Sequence, residues 1–333
     1  MSTRLLNRYI KLRSRRTDLT KGIVMLKEAS LRNALTERAA DAISYINECM
    51  APIPQDYTDK TYEESQRIQN QLATALTAST IPVDFDHQGS VTNGTHIKYH
   101  SDIDLLVASG IFVTVSPPVP ADPPYTGNPI EELRQIRDIC AKTLETQFSK
   151  AIVDTTGARS ISISGGSLAR KIDIVPCHWH HTLEYIQNGK TYKGIRILNV
   201  KSNSRETNYP FLHNFRINQR DIEVDGNLRP LIRLIKSIKS DSDATIDVSS
   251  YDIAGLCYAM PPEMLYAANS GADLLRRFLV FANKVIEDPG TQTTLRVPNG
   301  TRFLICDEGI HLPELVKLFR EGIDLLTLSS QRT

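Results

Sequence analysis

Asp102 and Asp104 lie two residues apart in the segment Gln88-Gly-Ser-Val-Thr-Asn-Gly-Thr-His-Ile-Lys-Tyr-His-Ser-Asp-Ile-Asp-Leu-Leu-Val107. On an extended strand both side chains point to one face, and the apolar Ile103 between them belongs to the opposite, packed face. Two carboxylates sharing a face repel one another unless a cation lies between them. Mg²⁺ takes such oxygen ligands together with substrate phosphates. A third carboxylate, Asp173, stands alone among apolar neighbours in Lys171-Ile-Asp-Ile-Val-Pro176, where Ile172 and Ile174 mark the packed side. If the two strands are neighbours, three carboxylates and a triphosphate can hold two metal ions about 4 Å apart. One ion then activates an attacking hydroxyl and the other neutralises a leaving pyrophosphate. Gly89-Ser90 supplies the remaining part. It follows a strand and precedes a helical turn; glycine lets the backbone approach a ligand closely, and free amides with a serine hydroxyl suit a phosphate. An Asp-x-Asp or a Gly-Ser pair alone is commonplace, and it is their combination with a third strand aspartate that points to a site.

The elements that must position these residues are legible as patterns. Apolar residues at helical spacing predict helices over 30–50 and 59–78, the second capped by Asp59. Short strands follow at 83–87 and from 103 to 107, extending toward 115. Residues 116–129 hold six prolines and form a loop. A helix is expected from 129 to 149, with proline at its first position. Strands at 160–164 and 169–176 are joined through a Gly165-Gly166 hairpin turn. A strand near 194–200 is followed by a polar loop. The amphipathic stretch 229–240 and residues 250–260 open a helical last third. His178-Trp-His-His181 has the composition of a metal tract, but it follows a strand and lacks cysteine partners at finger spacing. It is taken as a strand-end cluster, with Trp179 a packed aromatic.

The 333 residues carry a formal net charge of +1, so the molecule as a whole does not attract extended nucleic acid. The five cysteines are far apart and form no CxxC pair. This predicts reduced thiols and a cytoplasmic protein. No apolar run approaches the ~18 residues of a membrane span, and no signal-peptide core appears. Residues 1–21 are rich in Arg and Lys, with Asp18 the one acid. Such a start fits a transit peptide or a phosphate-contacting arm, but a solvated helix face is the expectation.

The spacing Gly89-Ser90, Asp102-Ile-Asp104 and Asp173 in a Lys-Ile-Asp-Ile-Val-Pro strand resembles the DNA polymerase β-like nucleotidyltransferase superfamily. Within it the chain is similar to the bacterial cGAS/DncV-like nucleotidyltransferases and the related oligoadenylate synthases. Gln88-Gly-Ser90 with Asn93-Gly-Thr-His-Ile97 resembles their signature loop, and Leu231-Ile-Arg-Leu-Ile-Lys-Ser237 their post-catalytic helix. Ser249-Ser-Tyr-Asp252 resembles the segment opening the next helix, and Asn208-Tyr-Pro210 with His213 a proline-containing loop. The helix departs from the family pattern at Ile238, where a tryptophan is frequent.

The resemblance implies an α+β fold. A polymerase β-like core, a small mixed sheet with helices, occupies 56–220. A helical segment over 1–55 precedes it, and an α-helical domain over 221–333 closes the active-site cleft. It implies Asp102, Asp104 and Asp173 as catalytic metal ligands for two Mg²⁺ ions, or Mn²⁺. It implies that Gly89, Ser90, Lys236 and Ser250 bind the nucleotide, with Lys236 on the triphosphate. The expected activity is joining NTPs into a cyclic di- or oligonucleotide with release of pyrophosphate, in anti-phage signalling through a product-activated effector. Two rivals are an enzyme transferring NMP to RNA or protein, and a catalytically decayed nucleotide sensor. A long basic groove would favour the first, which the net charge of +1 disfavours, and retention of all three aspartates argues against the second.

Overall fold

The computed structural model describes residues 3–16, 42–99, 101–121, 124–266, 268–306 and 308–330. The chain forms two compact units, Pro54–Asn93 with His100–Phe215, and Met1–Ile53 with Gly94–Tyr99 and Arg216–Thr333. The N-terminal segment therefore groups with the C-terminal helices rather than forming a division of its own. The sheet unit covers 54–93 and 100–215, where a core over 56–220 was expected.

The first unit is built on a seven-stranded mixed sheet. Its strands are β1 (Val83–Gln88), β2 (Ile103–Val115), β3 (Ile152–Asp154), β4 (Ile161–Gly165), β5 (Leu168–His181), β6 (Gly194–Asn199) and β7 (Ser204–Asn208). The order β1-β2-β5-β4-β3 is extended by β6 and β7, with β6 pairing the second half of β5. β5 thus has β2 parallel along one side, and on the other β4 followed by β6. That double set of partners explains its length. The strand expected to end at Pro176 continues through the His178-Trp-His-His181 tract, because those residues pair with β6 instead of entering a loop. β7, Ser204-Arg-Glu-Thr-Asn208, lies where a polar loop was expected. It is an edge strand without an apolar face, so the alternation that marks strands is missing.

Helices α1 (Thr3–Arg15) and α2 (Ala42–Met50) belong to the other unit, while α3 (Gln55–Ala78) and α4 (Pro129–Gln147) cover one face of the sheet. α3 starts four residues before the expected Asp59 cap. Pro54 precedes it, and Asp59 instead accepts a hydrogen bond from Gln55 one turn earlier, at 2.8 Å. α4 starts at Pro129, capped by the Asn128 side chain. Ile68, Leu72 and Leu76 of α3 and Leu133, Ile136 and Leu144 of α4 pack with Ile103, Leu105, Ile172 and Ile174 of the sheet. All ten are fully buried, each worth roughly 1.5–3 kcal/mol of apolar burial. The other face packs Leu106, Ala108, Val175, Cys177 and Trp179 with Ile195 and Ile197. The Gly165-Gly166 hairpin has both residues at positive φ, +77° and +61°. α5 (Leu183–Asn188) follows β5. α6 (Pro210–Glu223) begins at the proline expected in a loop and carries His213; proline at the first helical position needs no amide partner.

The second unit is helical, with α7 (Leu228–Asp241), α8 (Ser250–Tyr258), α9 (Pro262–Tyr266), α10 (Gly271–Glu287), α11 (Pro289–Gln292) and α12 (Leu312–Ser330). Leu5, Tyr9 and Leu12 of α1 enter the same core as Leu231, Ile235, Phe278, Leu315 and Leu325. The basic start of the chain is therefore a packed helix, correcting the expectation of a solvated face. Arg8, 2% exposed, pairs with Glu321. Arg15 pairs with Asp241 at the end of α7. Lys11 donates to the Asp241 and Ser242 carbonyls at 3.1 and 3.0 Å. The helix predicted over 30–50 is seen from Ala42 onward, its first part lying outside the described residues along with Asp18 and Lys21. No described helix is long and apolar enough to cross a membrane, and no described cysteine is in a disulfide.

Candidate active site

Asp104 and Asp173 are direct partners across the parallel β2–β5 pairing, one strand spacing or about 4.8 Å apart along the sheet. Ile103, Ile172 and Ile174 are fully buried on the opposite face, which fixes the carboxylate side. Gln88 stands opposite Asp104 on its other flank, in β1. Asp102 sits just ahead of β2, and its side chain is 53% exposed against 18% for Asp173. Gly89, Ser90, Asp102, Asp104 and Asp173 thus all fall in the sheet unit.

Gly89 follows β1 at φ +96°, and a Cβ there would lie 3.1 Å from Asp104 Oδ2. The turn that carries Ser90 therefore abuts the buried carboxylate directly. Residues 90–94 form successive turns and no helix starts among them, so the helix-terminal amides expected at Ser90 are replaced by turn backbone. The turn is tied down by side chains the sequence reading passed over. Thr92 Oγ1 donates to the Gly89 carbonyl at 2.7 Å and accepts from Asn214 Nδ2 at 2.8 Å. Asn93 Nδ2 in turn donates to Asn214 Oδ1 at 3.1 Å.

The electrostatics are those of crowded carboxylates. Burial, then Asp173 and Asp102, raise the Asp104 pKa to about 7, against the opposing pull of Lys171 and a hydrogen bond from Gln88. Asp173 is also raised, chiefly by burial. Lys171, two residues before Asp173 and on the same face of β5, was overlooked as a site residue. Its Nζ lies 3.0 Å from Asp173 Oδ1 and 3.1 Å from Oδ2, hydrogen-bonding the latter, and 3.8 Å from Asp102 Oδ2. Asp173 Oδ1 is buried and met by the Lys171 ammonium as an ion pair, with no hydrogen bond of its own. Among the described residues no three His, Cys, Asp or Glu side chains form a ready-made metal cage; here Asp102 faces outward and the ammonium holds Asp173. The donor set nevertheless fits a hard divalent cation: three carboxylates lie together, and those of Asp104 and Asp173 are both raised above the usual carboxylate range, chiefly by burial.

Lys236 and Ser250 belong to the helical unit. Lys236, 5% exposed, donates to the Thr95 carbonyl at 2.9 Å, and burial lowers its pKa to about 8. Arg233 beside it donates to the carbonyls of Met50 and Gly94 at 2.8 and 2.7 Å. The pair expected to form a basic phosphate face is thus engaged with backbone, on the segment that continues the signature loop. Ser250 is exposed at the first position of α8, and Ser249 is the residue that caps the helix, accepting from Asp252 N. The histidine tract is likewise occupied within the sheet unit. His178 meets Glu132 at 3.2 Å, and His180 bonds Thr114 and Ser116. Trp179, 4% exposed, donates to Asp84 at 3.0 Å.

No family model matches the chain. It is 34% identical over 283 residues to the cyclic dinucleotide synthase CdnE of Yersinia aleksiciae, covering 83% of this chain and 74% of that protein. It is 31% identical over 247 residues to a c-di-GMP synthase of a Lachnospiraceae bacterium, covering 66% and 70%. Its fold matches the STING-associated CdnE c-di-GMP synthase of Capnocytophaga granulosa with a TM-score of 0.76 at 26% identity, over 99% of this chain and 100% of that one. With a mixed sheet, a helical C-terminal region and relatives of this kind over most of its length, the chain belongs to the bacterial cGAS/DncV-like nucleotidyltransferases.

Proposed function

We propose that the chain joins two nucleoside triphosphates through two phosphodiester bonds into a cyclic dinucleotide, releasing two pyrophosphates. The observation that carries this reading is the Gly89-Ser90 turn packed so closely on Asp104 that a Cβ on Gly89 would lie 3.1 Å from Oδ2, with Asp173 on the adjoining strand. A phosphate cradle against paired carboxylates is what nucleotidyl transfer requires. The ring product is supported by the names of the relatives, three of which are c-di-GMP synthases.

Asp102, Asp104 and Asp173 would hold two Mg²⁺ ions, or Mn²⁺. Bound there, the ions supply acidity to the attacking hydroxyl and neutralise charge on the leaving pyrophosphate. The chain itself does the remaining work. The Gly89-Ser90 turn holds the β,γ-phosphates, its shape kept by Thr92 and Asn214. Gln88 orients the Asp104 carboxylate, and Asp173 draws the proton of the acceptor hydroxyl. The product would act on a separate effector in anti-phage defence, as the STING association of the Capnocytophaga relative suggests, and the protein would work in the cytoplasm.

Incubation with GTP alone and with all four NTPs and Mg²⁺, followed by phosphatase and mass spectrometry, tests this. A phosphatase-resistant cyclic dinucleotide is expected, formed at a rate that changes little between 50 and 200 mM salt, where a protein with several phosphate contacts would lose ~10³-fold or more in affinity. Linear products alone, or transfer that appears only when RNA or a protein is added, would leave the nucleotidyltransferase core standing and remove the ring.

The same reading assigns Lys236 and Ser250 to the triphosphate, for which Lys236 has to leave the Thr95 carbonyl. Lys236→Ala should then weaken apparent NTP affinity about ten- to a hundredfold, the scale of one charge-assisted contact. A lowered melting temperature with unchanged affinity would make Lys236 a tie on the 94–95 segment alone.

A further inference from the structure

We propose that Lys171 is a built-in counter-ion of the carboxylate site. Its ammonium occupies, between Asp173 and Asp102, a place that a divalent cation takes, and it must withdraw before the cation that uses Asp173 can bind. The inference rests on the metal reading above and adds a residue that sets how readily the metal is taken.

The geometry is specific to Asp173 and Asp102. Nζ stands 3.0 and 3.1 Å from the two Asp173 oxygens and 3.8 Å from Asp102 Oδ2. A hydrogen bond is made only to Asp173, so the ion that depends on Asp173 meets the stronger competition. The i, i+2 spacing on β5 places lysine and aspartate on one face by necessity, so the contact follows from the strand itself. The Lys171 side chain is 41% exposed, and its four-carbon stem is flexible. It can swing into water with no backbone movement, which a buried fork of arginine could not do. Without it, three neighbouring carboxylates would face one another uncompensated whenever the metal is absent. The lysine therefore protects the empty site and opposes its filling. Metal uptake becomes an exchange of one ammonium for one divalent ion, favoured once a triphosphate adds its own charge.

Direct Mn²⁺ binding to the nucleotide-free protein, read from the free-ion electron paramagnetic resonance signal, tests this in wild type, Asp104→Asn, Lys171→Met, Lys171→Gln and Lys171→Arg. Wild type should bind and Asp104→Asn should bind far more weakly. Lys171→Met and Lys171→Gln should bind roughly tenfold tighter than wild type, the scale of one charge-assisted contact that no longer has to be broken. Lys171→Arg should bind no tighter than wild type. A lysine with a merely structural role would lower metal affinity on removal or leave it unchanged. If Lys171→Met fails to fold, the Gln and Arg variants decide. Wild-type binding abolished in Asp104→Asn, with no tightening in the Met or Gln variants, overturns the counter-ion and leaves the metal reading intact. No Mn²⁺ binding by wild type overturns both.

Discussion

Replacing Asp104 with asparagine is expected to abolish nucleotide condensation and, in the same protein, to raise stability near neutral pH when no divalent cation is present. The first effect should be roughly a thousandfold or more in rate, since a lost metal-bound carboxylate removes several kcal/mol of transition-state stabilisation. The second follows from the environment of the residue. Burial, with Asp173 and Asp102 close by, raises its pKa from 3.8 to about 7. Between those values the folded chain keeps a proton that the unfolded chain releases. Stability therefore falls as pH rises through this window and levels off above it. The distance from 3.8 to about 7 is worth at most roughly 4 kcal/mol. Asparagine has no proton to lose, so the variant escapes the fall. Thermal melts in EDTA from pH 4.5 to 8.5 should show the two proteins diverging toward high pH. Added Mg²⁺ should restore the wild type alone. A variant that melts no higher than wild type at pH 8, or that still releases pyrophosphate, would contradict the crowded-carboxylate account.

The carboxylates were legible in the sequence because their signals are local. Asp102 and Asp104 declare a shared face by spacing, and Asp173 is the one polar residue in Ile-Asp-Ile-Val. Their union was not local. It depends on β2 and β5 pairing in parallel across 69 residues with Asp104 opposite Asp173, which no short pattern encodes. Lys171 escaped notice for a related reason. A lysine at the edge of an apolar strand reads as a solvated end, and although its spacing sets it on the face of Asp173, only the pairing brings its ammonium toward Asp102. Thr92 and Asn214 were missed because polar turn residues are common and their link spans 122 positions.

The fold shows the same division between local and distant causes. Helices with strong apolar periodicity, such as α7, were predicted within a residue or two of their ends. β5 was cut short because histidine and tryptophan tracts are weak strand signals, while β6 supplies the hydrogen bonds that extend it. The basic N-terminus looked solvated because charge is usually exposed. Its partners, Asp241 and Glu321, lie 226 and 313 residues away. Lys236 shows the converse: its place on an apolar helix was read correctly, but its hydrogen bond to the Thr95 carbonyl could not be.

A single methyl group at Gly89 should be enough to damage the site, and Gly165 provides the control. Gly89 has φ +96° and Gly165 φ +77°, so an alanine at either position meets comparable backbone strain, on the order of 1–3 kcal/mol. The surroundings differ. At Gly165 a Cβ would meet nothing within 4 Å, whereas at Gly89 it would lie 3.1 Å from Asp104 Oδ2 and 3.7 Å from its Cγ. The Asp104 carboxylate would have to give by a few tenths of an ångström while a Gln88 hydrogen bond holds it on one flank and Asp173 crowds it on the other. The turn that carries Ser90 would have to move as well. A misplacement of about 1 Å at a reacting centre can cost about a hundredfold in rate, which sets the upper bound here. Gly89→Ala is therefore expected to lose roughly ten- to a hundredfold in pyrophosphate release, and Gly89→Val more, since its branches point at the same oxygen. Gly165→Ala should lose a similar amount of thermal stability and keep its rate within about twofold, because its strain is confined to a hairpin that touches no functional group. Melting temperature and pyrophosphate release measured on the same preparations separate the two effects. Equal rates for Gly89→Ala and Gly165→Ala would mean that the close approach of the turn to Asp104 has no part in catalysis.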